Sequence, residues 1–150
     1  MIGFLGEYEV TLDPKGRFLL PAKFKEQLPE DSNTQFVINR GLENCLSLYP
    51  IKIWEPLFEK INKLNDFDTK IRQFKRFFLN GATIMELDSA GRLLVPQSLR
   101  EYAGLGKDIV LASMGKRLEI WDISKYKTQL FESYSQEEFK NDAGDIMKDI

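Results

Sequence analysis

The sequence predicts an α+β fold that is mainly β. Two repeated units are joined by a helical insert, and a helix follows the second. Three observations carry this. The string Asp-Pro-Lys-Gly-Arg-Phe-Leu-Leu-Pro at residues 13–21 returns as Asp-Ser-Ala-Gly-Arg-Leu-Leu-Val-Pro at 88–96. Around each copy the apolar residues alternate as in short strands. Between the copies they recur at helical spacing, at Trp54, Leu57, Phe58, Ile61 and Leu64.

The repeat runs beyond the two strings. At the same offset Leu12 matches Leu87, Gly6 matches Gly81, Phe24 matches Leu99 and Lys25 matches Arg100. The register then slips by a short loop difference. Phe36-Val37-Ile38 answers Ile109-Val110-Leu111, and Leu46-Ser47-Leu48-Tyr49 answers Leu118-Glu119-Ile120-Trp121. A duplicated unit of about 45 residues explains this better than two unrelated strand pairs.

In the first unit, Tyr8 to Leu12 alternates as a half-buried strand. Asp13-Pro14-Lys15-Gly16 then turns, with Asp at the first position, Pro presetting φ at the second and Gly at the fourth. Arg17 to Leu20 returns as a strand. Pro21 opens a short helix over Ala22 to Leu28. Phe36–Asn39 and Leu46–Tyr49 are two further strands, with a turn near Gly41. The second unit repeats the order, with a helix over Gln97 to Ala103 stopped by Gly104.

In the insert, Pro56 fits a helix only in its first turn. The chain breaks at Asn65-Asp66, and Asp68 or Thr69 caps the next helix. There Ile71, Phe74 and Phe78 share one face, and Arg72, Lys75 and Arg76 share another. An amphipathic segment is expected over Ser124 to Phe139, with fraying at Asn141 to Gly144. The expected units are therefore 1–50, an insert over 51–80, a second unit over 81–124, and a C-terminal helix with an acidic tail over 125–150.

Composition narrows the chemistry. The 150 residues contain no His and one Cys, Cys45. That excludes Ser-His-Asp triads, His general bases and His-Cys zinc sites. It also excludes a disulfide framework or an all-cysteine metal site within one chain. Cys45, in an alternating strand, reads as a packed thiol. No Walker string, no G-x-G-x-x-G after a strand and no metal-ligand spacing occurs. No enzymatic activity, metal or cofactor is expected. No apolar run approaches the about 20 residues of a membrane span, so no membrane partner is expected and the compartment is the cytoplasm.

The formal net charge is −2. Bulk attraction to nucleic acid is therefore excluded, but a local basic patch is not. Residues 132–150 hold six acids and two lysines, whereas 13–25 carries Lys15, Arg17, Lys23 and Lys25 against Asp13. The second copy, 88–100, offers Arg92 and Arg100 against Asp88. A guanidinium on a hairpin can pair with a phosphate or with the O6/N7 edge of guanine, and a two-stranded ribbon fits a DNA major groove. The plainer reading is an Asp–Arg pair that braces the turn. The two coexist if Asp13, Gly16, Asp88 and Gly91 shape loops that present Arg17 and Arg92. The basic face of Arg72, Lys75 and Arg76 reads as a solvated helix face rather than a DNA surface. The aromatics read as core or subunit-contact residues, with Phe77 off the main stripe.

These residues together resemble the MraZ family. They are the paired Asp-x-x-Gly-Arg-(apolar)3-Pro strings, Phe4-Leu5-Gly6-Glu7-Tyr8, Leu46-Ser47-Leu48-Tyr49-Pro50 and Glu119-Ile120-Trp121. The resemblance spans about residues 1–130. It implies two tandem SpoVT-AbrB-type units, pseudo-symmetric and built as a swapped-hairpin β-barrel. It also implies a ring-shaped homo-oligomer and a regulator associated with the nucleoid. Such a regulator binds short, directly repeated boxes of double-stranded DNA upstream of the cell-division and cell-wall gene cluster, its own promoter included. The family's DNA-contacting motif falls on Asp13, Lys15, Gly16 and Arg17, and its second copy on Asp88, Gly91 and Arg92. Lys23 joins the first set, and Phe77 and Phe78 are the candidate oligomer contacts. Lys15 and Lys23 have uncharged counterparts in Ala90 and Ser98, so Arg17 and Lys15 are expected to lead. The alternative is an oligomeric protein-interaction module, as in antitoxins of similar fold, working through the Phe77 region and the acidic tail.

Overall fold

The computed structural model describes residues 3–30 and 34–150; Met1, Ile2 and 31–33, which fell within the readings above, lie outside the described residues. The first unit holds β1 (Glu7–Thr11), β2 (Arg17–Leu19), α1 (Ala22–Glu26), β3 (Gln35–Arg40) and β4 (Leu46–Pro50). The insert holds α2 (Ile51–Asn62) and α3 (Thr69–Gly81). The second unit holds β5 (Thr83–Glu86), β6 (Arg92–Leu94), α4 (Gln97–Ala103), β7 (Asp108–Ser113) and β8 (Leu118–Asp122). It is followed by α5 (Ile123–Lys127), a π-type turn (Thr128–Glu132) and α6 (Gln136–Met147).

The strands do not pair within their own units alone. A six-stranded sheet runs β1-β7-β8-β4-β3-β5, and β2 pairs with β6 in a separate two-stranded sheet. Strand β1 lies antiparallel to β7, with Tyr8 opposite Leu111, while β5 lies antiparallel to β3, with Met85 opposite Phe36. Each unit thus lends its first strand to the other. At the centre β4 meets β8, with Leu48 opposite Leu118.

This order explains the sequence pattern. Edge strand β1 alternates between exposed and half-buried residues, so it reads as polar and apolar in turn. Strands β3, β4, β7 and β8 are covered on both faces and read as nearly continuous apolar runs. One face supplies Phe36, Ile38, Leu46, Leu48, Ile109, Leu111, Leu118 and Ile120 to a core shared by both units, which Phe18, Phe24, Leu93 and Leu99 complete. Phe24 is wholly buried and meets Phe4 and Tyr8 edge-on, with ring centroids 5.7 and 5.0 Å away. On the opposite face a second cluster forms where Trp54, Ile61 and Phe78 pack against Val37 and Tyr49.

Four expectations needed correction. Helix α1 ends at Glu26 rather than Leu28, because Pro29 disfavours helical backbone at the residue before it. Helix α2 starts at Ile51, right after Pro50, so Pro56 lies inside it rather than in its first turn. Pro56 and Lys52 are both exposed, so water can satisfy the carbonyl that proline leaves unpaired, while Trp54 and Ile61 hold the helix to the sheet. The amphipathic segment after Ser124 is not one helix: it breaks at Ser133–Ser135. Ser135 then starts α6 with a reciprocal cap, its side chain accepting from the Glu138 N–H while Glu138 accepts from the Ser135 N–H. Residues Asn141 to Gly144 are helical rather than frayed. Asp68, of the two cap candidates, takes the N-cap of α3 and accepts from the Lys70 N–H.

Because Phe24 is the point where β1, the N-terminal segment and α1 meet, Phe24→Ala should cost about 3–5 kcal/mol in equilibrium unfolding. A loss below about 1 kcal/mol would mean that this contact does not fasten β1 to the core.

Candidate nucleic-acid interface

Each turn is built by one carboxylate. The Asp13 Oδ1 atom accepts from the N–H groups of Lys15 and Arg17, both at 2.9 Å, and Oδ2 accepts from Arg17 Nε at 2.7 Å. The Asp13 N–H in turn donates to the Arg17 carbonyl at 2.8 Å. Asp88 repeats this bond for bond: Ala90 N–H, Arg92 N–H and Arg92 Nε donate to it, all at 2.9 Å. The spacing Asp-x-x-x-Arg is thus required because one side chain must reach two amides of the turn and the guanidinium beyond it. Gly16 and Gly91 sit at φ +86° and +81°, where a β-carbon is strained. At Gly16 a β-carbon would also lie 2.7 Å from Arg100 Cζ.

The carboxylates are acidified by this arrangement. Asp13 is held below its ordinary value of 3.8, chiefly by the Arg17 N–H, with burial opposing and the Arg17 side chain and Lys15 N–H adding. Asp88 is held down in the same way by Arg92 and Ala90.

The glycine carbonyls tie the two units together. Gly16 accepts from the Val95 N–H at 2.9 Å, and Gly91 accepts from the Leu20 N–H at 3.1 Å. Between these bonds β2 and β6 form a ribbon in which Arg17 faces Leu94, Phe18 faces Leu93 and Leu19 faces Arg92. Phe18 and Leu93 point into the core. By the two-residue period of a strand, the outer face carries Arg17, Leu19, Arg92 and Leu94. Leu19 and Leu94 are 58% and 46% exposed, well above the core level. With each Nε turned to its aspartate, the terminal nitrogens of the guanidinium form the free end. Arg17 thus braces the turn and lies, partly exposed, on the outer face of the ribbon.

Around the ribbon the predicted residues fall out unequally. Lys15 is exposed at the tip of the first loop, where the second has Ala90. Lys23 is exposed on α1. Beside the first loop the structure adds two cations from the second unit. Arg100 packs on Gly16, and Lys107, whose carbonyl accepts from the Leu12 N–H, lines a cleft with Asp13, Pro14 and Arg100. The charge count assigned Arg100 to the second copy and left out Lys107, because only the strand exchange brings them near the first loop. Leu19 and Leu94 were also missed, although the alternation Arg-Phe-Leu and Arg-Leu-Leu already puts them beside the arginines.

Other candidates take structural roles. Lys75 donates to Asp66 Oδ1 at 2.5 Å and to the Leu64 carbonyl at 3.0 Å, and Arg72 donates to the Asp66 carbonyl at 2.8 Å. Both hold the α2–α3 loop. Phe77 is half exposed and carries the Arg40 guanidinium 4.3 Å above its ring. Phe78 is buried in the second cluster. Cys45 is wholly buried, and burial, with Glu119 nearby, pushes its thiol up to about 12, so it stays protonated at neutral pH.

Comparison with known proteins settles the family. The MraZ family, described as antitoxin-like, matches this sequence twice, over residues 3–77 and 78–149. The chain belongs to the MraZ family. The transcriptional regulator MraZ of Acetivibrio thermocellus is 44% identical over 135 residues, covering 90% of this chain and 88% of that one. The MraZ of Natranaerobius thermophilus is 41% identical over 144 residues, 96% of each chain. That of Desulfitobacterium hafniense strain Y51 is 48% identical over 118 residues, 79% of this chain and 80% of that one. A member of this family of regulators is not an enzyme. The double match also assigns a helical segment to each unit: α2 and α3 follow β4 as α5 and α6 follow β8. Among the described residues, no helix is long and apolar enough to cross a membrane.

The acid response of the turns can be measured. A carboxylate with a depressed value stabilises fully above the unfolded-chain value, and this is lost as pH falls through the folded value. The Asp13→Asn, Asp88→Asn double variant should therefore melt lower than wild type at pH 7. The gap should persist down to about pH 4 and close below it. A gap unchanged at pH 2 would mean that the stabilisation does not depend on the ionised carboxylates.

Proposed function

We propose that this chain is a sequence-specific DNA-binding transcriptional regulator, acting on directly repeated short boxes. The boxes are those upstream of the cell-division and cell-wall gene cluster, including its own promoter, on the nucleoid in the cytoplasm. The observation that carries the reading is the ribbon of β2 and β6. It presents two arginines on one exposed face, each fixed by an aspartate through the same three hydrogen bonds. Preorganised guanidinium ends suit guanine O6/N7 or phosphate, and the exposed Leu19 and Leu94 suit thymine methyls. Lys15 neutralises phosphate at the loop tip, and Lys23, exposed on α1, adds a second cation. Arg92 reads or braces at the opposite end. Asp13, Gly16, Asp88 and Gly91 set the loops and make no contact of their own.

The reciprocal strand pairing supports two halves related by a pseudo-twofold axis and closing as a swapped-hairpin barrel. A single ribbon offers few contacts, so the working form is a homo-oligomeric ring in which several ribbons engage successive boxes, with Phe77 and Phe78 on the side of the subunit contact. The names borne by the relatives, transcriptional regulator MraZ, agree with this reading. It is preferred over an antitoxin-like interaction module because the same turn construction, built twice, ends each time in a partly exposed arginine.

Two substitutions separate the roles by gel shift on the chain's own upstream repeats. Arg17→Ala should weaken binding on the order of 10- to 100-fold and erase the preference over scrambled DNA. It should leave the oligomer intact. Lys15→Ala should weaken binding to both DNAs alike and flatten the salt dependence by about one unit of log–log slope per protomer bound. Normal shifts by Arg17→Ala would remove Arg17 from the interface, and equal binding of repeats and scrambled DNA by wild type would favour the interaction module.

A further inference from the structure

Among the described residues, helix α6 packs against almost nothing of its own chain. From Phe131 to Ile150 every residue but Ala143 is exposed, although the helix is closed by a full cap at Ser135. Its side chains are nonetheless sorted. Phe139, Ala143, Ile146 and Met147 follow i, i+4, i+7, i+8 spacing and form one apolar stripe. Glu138, Asp142 and Asp145 follow i, i+4, i+7 and run as an acidic row along one side of it. A helix with this pattern and no partner among the described residues is built to lie in an apolar groove with a basic edge.

The same chain carries such a groove. A cleft of about 470 Å³ opens between the insert and the sheet, floored by Leu57, Ile61, Phe74 and Phe78. Leu42, 83% exposed, stands at its margin. Its charged lining residues are Arg40, Lys60 and Arg117, with no acid among them. The Arg117 Nε atom is buried without a hydrogen-bond partner, and its NH2 lies 3.9 Å from Glu119. A second apolar cleft, lined by Trp54, Phe58 and Ile84, also holds Glu55 and Glu59 and would repel an acidic helix. Charge therefore selects the first.

We infer that α6 of one copy docks in the Arg40–Lys60–Arg117 groove of the next copy. The inference rests on the homo-oligomer part of the reading above and names the contact that makes it. Groove and helix are different surfaces of one chain, so the contact is head-to-tail and can repeat until a ring closes. It also gives Phe78 and Phe77 their place: Phe78 lines the groove, and Phe77 supports Arg40 from beneath.

The test uses the full chain and two variants that alter exposed side chains only. Ile146→Asp spoils the stripe and leaves the groove; Leu42→Asp spoils the groove and leaves the stripe. By mass photometry or light scattering, wild type should be oligomeric and each variant alone should fall to protomer mass. An equal mixture should yield a species of two protomers and nothing larger, since one sound helix can meet only one sound groove. Wild-type mass in either variant would overturn the inference while leaving an oligomer of other construction standing. A mixture that stays at protomer mass would also overturn it. A monomeric wild type would overturn both the inference and the ring, leaving the groove to a different protein.

Discussion

The backbone hydrogen bonds joining β1 to β7 and β3 to β5 run between the two repeats, and nearly everything else in the molecule follows from them. A strand at a sheet edge leaves a row of amide groups unpaired. Here β7 would be an edge without β1, and β3 would be one without β5. Each repeat therefore covers an edge of the other, and the shared core of Phe18, Phe24, Leu93 and Leu99 lies beneath both. Lending the first strand pulls the following turn across the boundary too. That movement brings β2 against β6, so that two loops 75 residues apart become the ends of one ribbon. The exchange is thus the reason that the two arginines lie on one ribbon.

The loops themselves are self-contained. The three donors to Asp13 all come from the next four residues, and Asp88 is served in the same way. For that reason the turn, its carboxylate, its glycine and its arginine could all be read from the string Asp-x-x-Gly-Arg. Short-range bonds leave short-range signatures. The long apolar runs of β3, β4, β7 and β8 were equally legible, because burial on both faces removes the polar alternation. The pairing partners of these strands were not legible. Register and order depend on contacts between residues far apart, and periodicity carries no address.

The same distinction explains what was missed at the site. Arg100 and Lys107 stand beside the first loop only because β7 receives β1, so a charge sum over 13–25 could not contain them. Pro56 was misplaced because its tolerance depends on solvent reaching one carbonyl, a property of the folded surface. The tail was misjudged for a different reason. Its composition is acidic and polar, which suits disorder, but the reciprocal Ser135–Glu138 cap and the evenly spaced stripe favour a helix. Local capping decided the outcome against composition. Charge, likewise, misleads when summed over the chain. A net −2 conceals acids gathered on α6 and cations gathered at the first loop and the groove.

The inequality of the two loops bears on what kind of DNA such a chain can read. A ribbon with identical ends would look the same from either direction and would suit inverted sites. This ribbon has Lys15, Arg100 and Lys107 near one end, whereas the other has Ala90 at its tip and Leu19 against Gly91. The two loop tips therefore differ, with a cation at one and a methyl group at the other. Copies related by a twofold axis would point their basic ends in opposite directions. Copies related head-to-tail, as proposed above, point them the same way round, so that in the proposed reading successive ribbons meet successive boxes in one orientation. Under the proposed assembly, direct repeats are the matching arrangement of sites. Because each ribbon contributes few bonds, the spacing of the boxes matters as much as their sequence: a box out of step with its ribbon forfeits the gain in effective concentration. The duplication inside the chain and the proposed assembly of chains thus do different work. The first builds a rigid ribbon from two imperfect copies, and the imperfection gives that ribbon a direction which the second can multiply.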